Sequence, residues 1–191
     1  SNSSAASDVY KRQIKVISTN FLLEEMDHIA WFHQAKREVF EKFLADVDYS
    51  DIEYLIFDLP PGTGTETVNL LKYIPNLDGV LIITVPSEVS QNVAKRGIVV
   101  CKKTNINILG VVENMGGFVC PSCKNIHYIF PPGGGKRLAE DMRVPFLGEI
   151  PFDEKISTTS DIGESLFQRF SESPAALSYK NIINKILERL C

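Results

Sequence analysis

Nothing in this 191-residue sequence approaches the roughly eighteen consecutive apolar residues that a membrane-spanning helix needs, so a membrane partner is not expected. The opening SNSSAASDVYKRQ is Ser-rich and has no apolar stretch, so it does not read as a secretory signal. Residues 1–13 are therefore expected to be a non-native or disordered leader. Cysteine is scarce, with four in the chain, too few for a disulfide framework. The expected setting is a reducing compartment, the cytoplasm, with the mitochondrial matrix as the alternative. Basic residues are in deficit, 20 against 24 acidic, and a net charge of -4 argues against binding a nucleic-acid backbone. No internal repeat or low-complexity linker occurs. One further absence matters most: no GxxxxGK[ST] or GKGGxGK-like string, the glycine-rich loop that cradles phosphates, is found anywhere.

What is present is enough apolar sequence for one core. With 44% hydrophobic and 23% charged residues, residues 14–191 are expected to form one domain. The patterning alternates between strands and helices. Strands are expected at Ile14 to Phe21, Tyr54 to Phe57, Gly79 to Val85, Ile106 to Glu113 and Phe146 to Ile150. Helices are expected at Ala30 to Val47, Thr65 to Tyr73, Ser90 to Lys103, Gly135 to Met142 and at the C-terminus, with Ile182, Ile183, Ile186, Leu187 and Leu190 on one face. Such alternation specifies an α/β fold, a mostly parallel sheet with helices on both faces.

Two segments carry chemistry. In YLIFDLPPGTG, an apolar run ends on Asp58, and Pro60 and Pro61 force the chain out of any central strand. A carboxylate at the carboxyl end of a buried strand sits where open α/β sheets bind ligands, and in P-loop NTPases it helps hold magnesium. The alternative is a solvated Asp before a turn. Gly133 to Lys136 is the nearest thing to a phosphate loop, but it follows Pro131 and Pro132 rather than a strand, and reads as a loop leading into a helix.

The second segment is ENMGGFVCPSCKNIHYIF, from Glu113 to Phe130. Cys120 and Cys123, two residues apart in a loop past a strand end, suit a redox pair, half of a zinc site or half of an iron-sulfur site. Structural zinc takes four ligands, and within the segment only His127 offers a third. Cys101 falls in a helix and Cys191 ends the chain, so each reads as a buried hydrophobe or a tail thiol. A site shared across a two-fold axis would double two ligands to four.

The succession DLPPGTG, a VLIITVP strand, VVENMGGFVCPSC, IFPPGGG, VPFLGEIPFD and DIGES resembles the Mrp/ApbC-type iron-sulfur cluster carrier ATPases, relatives of MinD, from about Ile14 to Tyr179. The resemblance implies a P-loop NTPase fold and a homodimer, or a heterodimer with a paralogue. Such a dimer would hold a labile 4Fe-4S cluster between the CPxC pairs of its subunits and pass it to apo iron-sulfur client proteins. It implies Cys120 and Cys123 as cluster ligands, Asp58 as the Walker B carboxylate serving ATP, Mg2+ and catalysis, Asn114 as the amide that recognises adenine, and Pro151 and Asp153 as the segment closing over the base. Read without the resemblance, Asn114 is a turn or cap residue after a strand.

The chain departs from that pattern in places. The phosphate loop, its strand and its helix are missing, so the sequence is expected to be a C-terminal fragment whose ATPase activity belongs to the full-length protein. Trp31, Phe32, His33 and Gln34 replace a Trp-Arg-Gly-Pro string, and Thr65 stands where Asp is usual. The missing strand should leave the Asp58 strand and the Gly79 to Val85 strand with unpaired edges. Two other readings stay open: a MinD- or ParA-like positioning ATPase, and a scaffold bridged by zinc between protomers.

Overall fold

In a computed structural model of the chain, the structure describes residues 9–11, 14–18, 33–50, 52–74, 76–120, 122–123 and 125–190. They divide into two compact units, residues 1–59 and 60–191.

The first unit holds a short antiparallel hairpin, β1 (Val9–Lys11) and β2 (Ile14–Val16), with Tyr10 opposite Lys15. Part of the expected leader is thus paired with the first expected strand, which is shorter than anticipated; residues 19–21 lie outside the described residues. Helix α1 (His33–Asp46) follows, and the Tyr49 hydroxyl donates to the Phe43 carbonyl at 2.6 Å where the chain leaves it. Tyr54 to Phe57, expected as a strand buried on both faces, forms none. Tyr54 is 62% exposed and Ile56 86%, while Phe57 alone turns inward, its ring 6.4 Å from that of Phe40. The reason is pairing: an apolar run becomes a central strand only with neighbours on its edges, and among the described residues β1 and β2 pair only with each other. Asp58 accordingly lies in exposed, irregular backbone and not at the end of a sheet strand.

The second unit is built on β4 (Ile108–Val119), flanked in parallel by β3 (Val80–Thr84) on one side and β6 (Phe146–Phe152) on the other. A two-residue strand, β5 (Ile126–His127), pairs antiparallel with the last residues of β4. Helices α2 (Thr65–Tyr73), α3 (Glu88–Lys103), α4 (Gly134–Asp141), α5 (Glu154–Asp161), α6 (Leu166–Arg169) and α7 (Pro174–Leu190) complete it. Neighbouring residues of β4 show the two-faced layering. Val111 is buried with Ile82, Ala94, Ile98 and Leu138 toward α3 and α4. Val112, pointing the other way, is buried with Leu147, Ile150, Ala176 and Ile182 toward α7.

Local chemistry sets the helix ends. Ser87 caps α3 by accepting from the Ser90 N–H at 3.3 Å, with Glu88 in the first turn and Lys102 and Lys103 in the last, where each suits the helix dipole. Ala94, Ile98 and Cys101 form its buried stripe, so Cys101 is a core residue as expected. In α7 the inward face is Ala175, Ala176 and Ile182, whereas Ile183 and Leu187 of the expected apolar face are 42% and 38% exposed. The β3 strand also departs from expectation. Its apolar run is continuous, yet Leu81 and Ile83 are exposed while Ile82 and Thr84 are buried. Among the described residues its second edge pairs with no strand. Asp58 belongs to the other unit, where residues 54–57 form no strand.

Candidate metal centre

The strand β4 runs past its expected end at Glu113 because a local break lets it change partners. Asn114 is an interior residue of this strand and not, as read from sequence alone, a residue after it. Its side-chain Oδ1 accepts from the Met115 N–H at 3.0 Å, and Met115 takes a left-handed φ of 57°. Short polar side chains bonding to neighbouring backbone help hold such turns. The register with β6 shifts between Asn114 and Phe118, after which Phe118 lies opposite Phe152, their rings 6.4 Å apart and edge-on. Gly116 is required here. A Cβ at that position would overlap the Glu149 side chain on β6.

Beyond the break, β4 and β5 make a hairpin with Phe118 opposite His127 and Val119 opposite Ile126, closed by Cys120 N–H donating to the Asn125 carbonyl at 2.9 Å. Cys120 and Cys123 sit at its tip, both reduced, the first half-buried and the second exposed. Backbone N–H groups of Cys123 and then Ser122 hold the Cys120 thiol below its ordinary value, which favours the thiolate that binds metals. The two sulfurs and a ring nitrogen of His127 lie within 4.8 Å of one another, and the Cys123 Sγ is 4.0 Å from His127 Nε2. The expected cysteine pair is therefore assembled, with a third donor beside it.

The residues proposed for the nucleotide are placed differently. Pro151 lies in β6 and Asp153 caps α5, its Oδ1 accepting from the Lys155 N–H at 3.0 Å. The other oxygen, Oδ2, is buried without a hydrogen-bond partner among the described residues. Asp153 lines a cleft of about 570 Å³ whose walls also include Phe118, Cys120, Phe152, Lys155 and Phe170, so the cap residue and the first cysteine open on one space. Asp58 belongs to the other unit.

Sequence reasoning missed Glu113 and Glu149. Glu113 is fully buried, its Oε2 accepting from the Gly135 N–H at the start of α4 and its Oε1 unpaired among the described residues. A carboxylate there satisfies a helix N-terminus. That N–H, the nearest thing to a phosphate cradle in the glycine run, is thus already occupied. Gly133, whose φ of 76° needs a residue without a Cβ, lets the chain turn into the helix. The available signal was a lone acid closing the apolar run LGVV. Burial pushes the Glu149 carboxyl up, and the neighbouring Glu113 charge adds to the push.

A mostly parallel sheet with helices on both faces, bearing a paired-thiol hairpin at the carboxyl end of its central strand, defines an α/β protein of the P-loop NTPase fold class with two cysteines and a histidine gathered in one loop. The chain belongs to the NUBPL iron-transfer P-loop NTPase family of the ParA group, whose model matches residues 1–187. It is 42% identical over 176 residues to the iron-sulfur cluster carrier protein of Saccharolobus solfataricus, covering 92% of this chain. The chain spans 60% of that relative's length. Among solved structures it is similar to a nucleotide-binding protein from Archaeoglobus fulgidus in complex with ADP, with a TM-score of 0.68 and 30% identity over 85% of this chain and 65% of that one. The cell division ATPase MinD of Pyrococcus furiosus shares the fold, with a TM-score of 0.56 and 20% identity over 82% of this chain and 59% of its own.

Proposed function

We propose that this chain is the cluster-holding part of an iron-sulfur cluster carrier. The cargo is a 4Fe-4S cluster bound by Cys120 and Cys123 of two copies and delivered to apo-proteins. The observation that carries the reading is the thiol pair at the tip of an accessible hairpin, close enough to share a metal and open to a second molecule. A four-iron cluster takes four thiolates and one chain supplies two at this site, so a two-fold dimer completes the set. Exposure on the hairpin suits a cargo that must leave. The 42% identity to a cluster carrier supports the same reading.

Nucleotide belongs to the activity of the longer protein. Asn114, Pro151 and Asp153 would hold the adenine side of ATP, and the buried, unpaired Asp153 Oδ2 beside the cleft is a polar group fit for a ligand. Asp58 would serve Mg2+. The similarity to a relative solved with ADP supports this assignment. Bound nucleotide would supply phosphoryl-transfer energy; the glycine run at the start of α4 does not cradle its phosphates, because the Gly135 N–H is taken by Glu113. The proposed site of action is the cytoplasm, since four cysteines without a disulfide framework suit a reducing compartment; among the described residues no helix is long and apolar enough to cross a membrane.

Anaerobic reconstitution with iron and sulfide tests the proposal. The expected result is about one four-iron cluster per dimer, lost in Cys120→Ala and in Cys123→Ala. Full loading of a strictly monomeric fraction would overturn the shared-cluster reading, and zinc without acid-labile sulfide would replace it with a zinc-bridged scaffold.

A further inference from the structure

We infer that Cys120, Cys123 and His127 of a single chain form a three-ligand site for a zinc-class divalent cation, closed by the imidazole without a second copy of the chain. The inference rests on the metal-binding reading of the cysteine pair and adds to it a ligand, a metal class and a monomeric state.

The hairpin brings the third donor in. Because Phe118 is opposite His127, Cys120, two residues further along the same strand direction, falls on the His127 face. The Cys120 N–H to Asn125 carbonyl bond closes the turn between them and returns Cys123 over that face, 4.0 Å from Nε2. All three donor atoms are within 4.8 Å of one another. Tetrahedral zinc, with Zn–S near 2.3 Å and Zn–N near 2.0 Å, sets sulfur and nitrogen about 3.5 Å apart and two sulfurs about 3.8 Å apart. The contraction needed is about 1 Å, and it falls on side chains that are half-buried or exposed, so it disturbs no packed core.

Donor chemistry selects the metal. Two thiolates and an imidazole suit zinc and its borderline neighbours and do not suit magnesium or calcium, which take oxygen. Three protein ligands leave a fourth position facing solvent, as in sites that exchange a ligand. The same thiolates cannot serve this site and a four-thiolate cluster at once, so the cation and the shared cluster exclude each other. In the cluster-bearing dimer His127 is spare.

The test uses the reduced, metal-free full chain. Titration with Co2+, followed by the visible absorption of a tetrahedral cobalt thiolate, should saturate at one metal per chain in the monomeric fraction of a sizing column, and Zn2+ should displace it. His127→Gln, an exposed position at which folding is checked by circular dichroism, should weaken Zn2+ binding at least tenfold. It should leave iron-sulfur loading of the dimer unchanged. Unaltered affinity in His127→Gln, metal found only as one per two chains, or loss of the cluster in His127→Gln would each overturn the inference. If the parent chain assembles no cluster yet binds Zn2+ through His127, the carrier reading falls and this one stands.

Discussion

Glu113 and Glu149 stand directly opposite each other in the parallel register of β4 and β6, and both lie beside the break that redirects β4 toward the cysteine hairpin. The first accepts from the Gly135 N–H and is fully buried; the second lies over Gly116, where no Cβ fits. Two acids thus support the stretch of β4 that leads into the cysteine hairpin. Their charges oppose one another.

Replacing Glu149 with Gln should raise stability at neutral pH. Its folded-state value is raised above the ordinary 4.5, by burial first and by Glu113 second. A raised value means that the folded protein holds the proton more tightly than the unfolded chain does. The stability this proton confers is present below the unfolded value and is lost as pH rises through the folded one. Thermal melts of parent and Glu149→Gln should therefore diverge toward neutral pH, with the variant higher, and converge in acid. A gap that widened in acid would contradict the assignment.

Gly116→Ala should destabilise the second unit by about 1–3 kcal/mol, because the new methyl group overlaps the Glu149 side chain. Pairing it with Glu149→Ala should recover much of that loss, since the two positions are in contact and couple. Denaturant unfolding of the four species gives the coupling energy. Simple additivity would mean that the strand break, and not the contact, governs Gly116.

Asp153→Ala should cost about 1 kcal/mol by removing the α5 cap, whereas Asp153→Asn keeps an accepting oxygen and should cost little. Nucleotide affinity of the proposed ATP-binding form separates structure from binding. If Asp153 acts only as a cap, affinity in the Asn variant will equal that of the parent.

The described chain should not turn over ATP, because the charge stabilisation that phosphoryl transfer needs comes from a phosphate loop absent from this sequence. A phosphate-release assay should show background only. Turnover abolished by Asp58→Ala would show that the exposed carboxylate finds its phosphates after all.

Ile98→Ala should cost about 2–5 kcal/mol, since its side chain is fully buried between α3 and the sheet, while Val89→Ala one helix face away, at 76% exposure, should change stability by about 0.5 kcal/mol or less. Urea midpoints of the two variants give the comparison.

The sequence alone determined the elements whose signals are local. Thr65–Tyr73 is a helix with the expected bounds, α3 begins two residues early at the Ser87 cap, and the apolar runs around Ile82, Val111 and Leu147 are strands because each meets a partner. The Cys-x-x-Cys spacing likewise puts two thiols in one short loop. Tertiary structure decided whatever depends on neighbours distant in sequence. The run at Tyr54 to Phe57 is as apolar as β3, yet it stays irregular and, but for Phe57, exposed, since a strand exists only through hydrogen bonds to another strand. The positive φ at Met115, the buried Glu113 at the start of α4 and the approach of His127 to Cys123 follow from register and close packing, which a pattern of residue types along one chain does not contain.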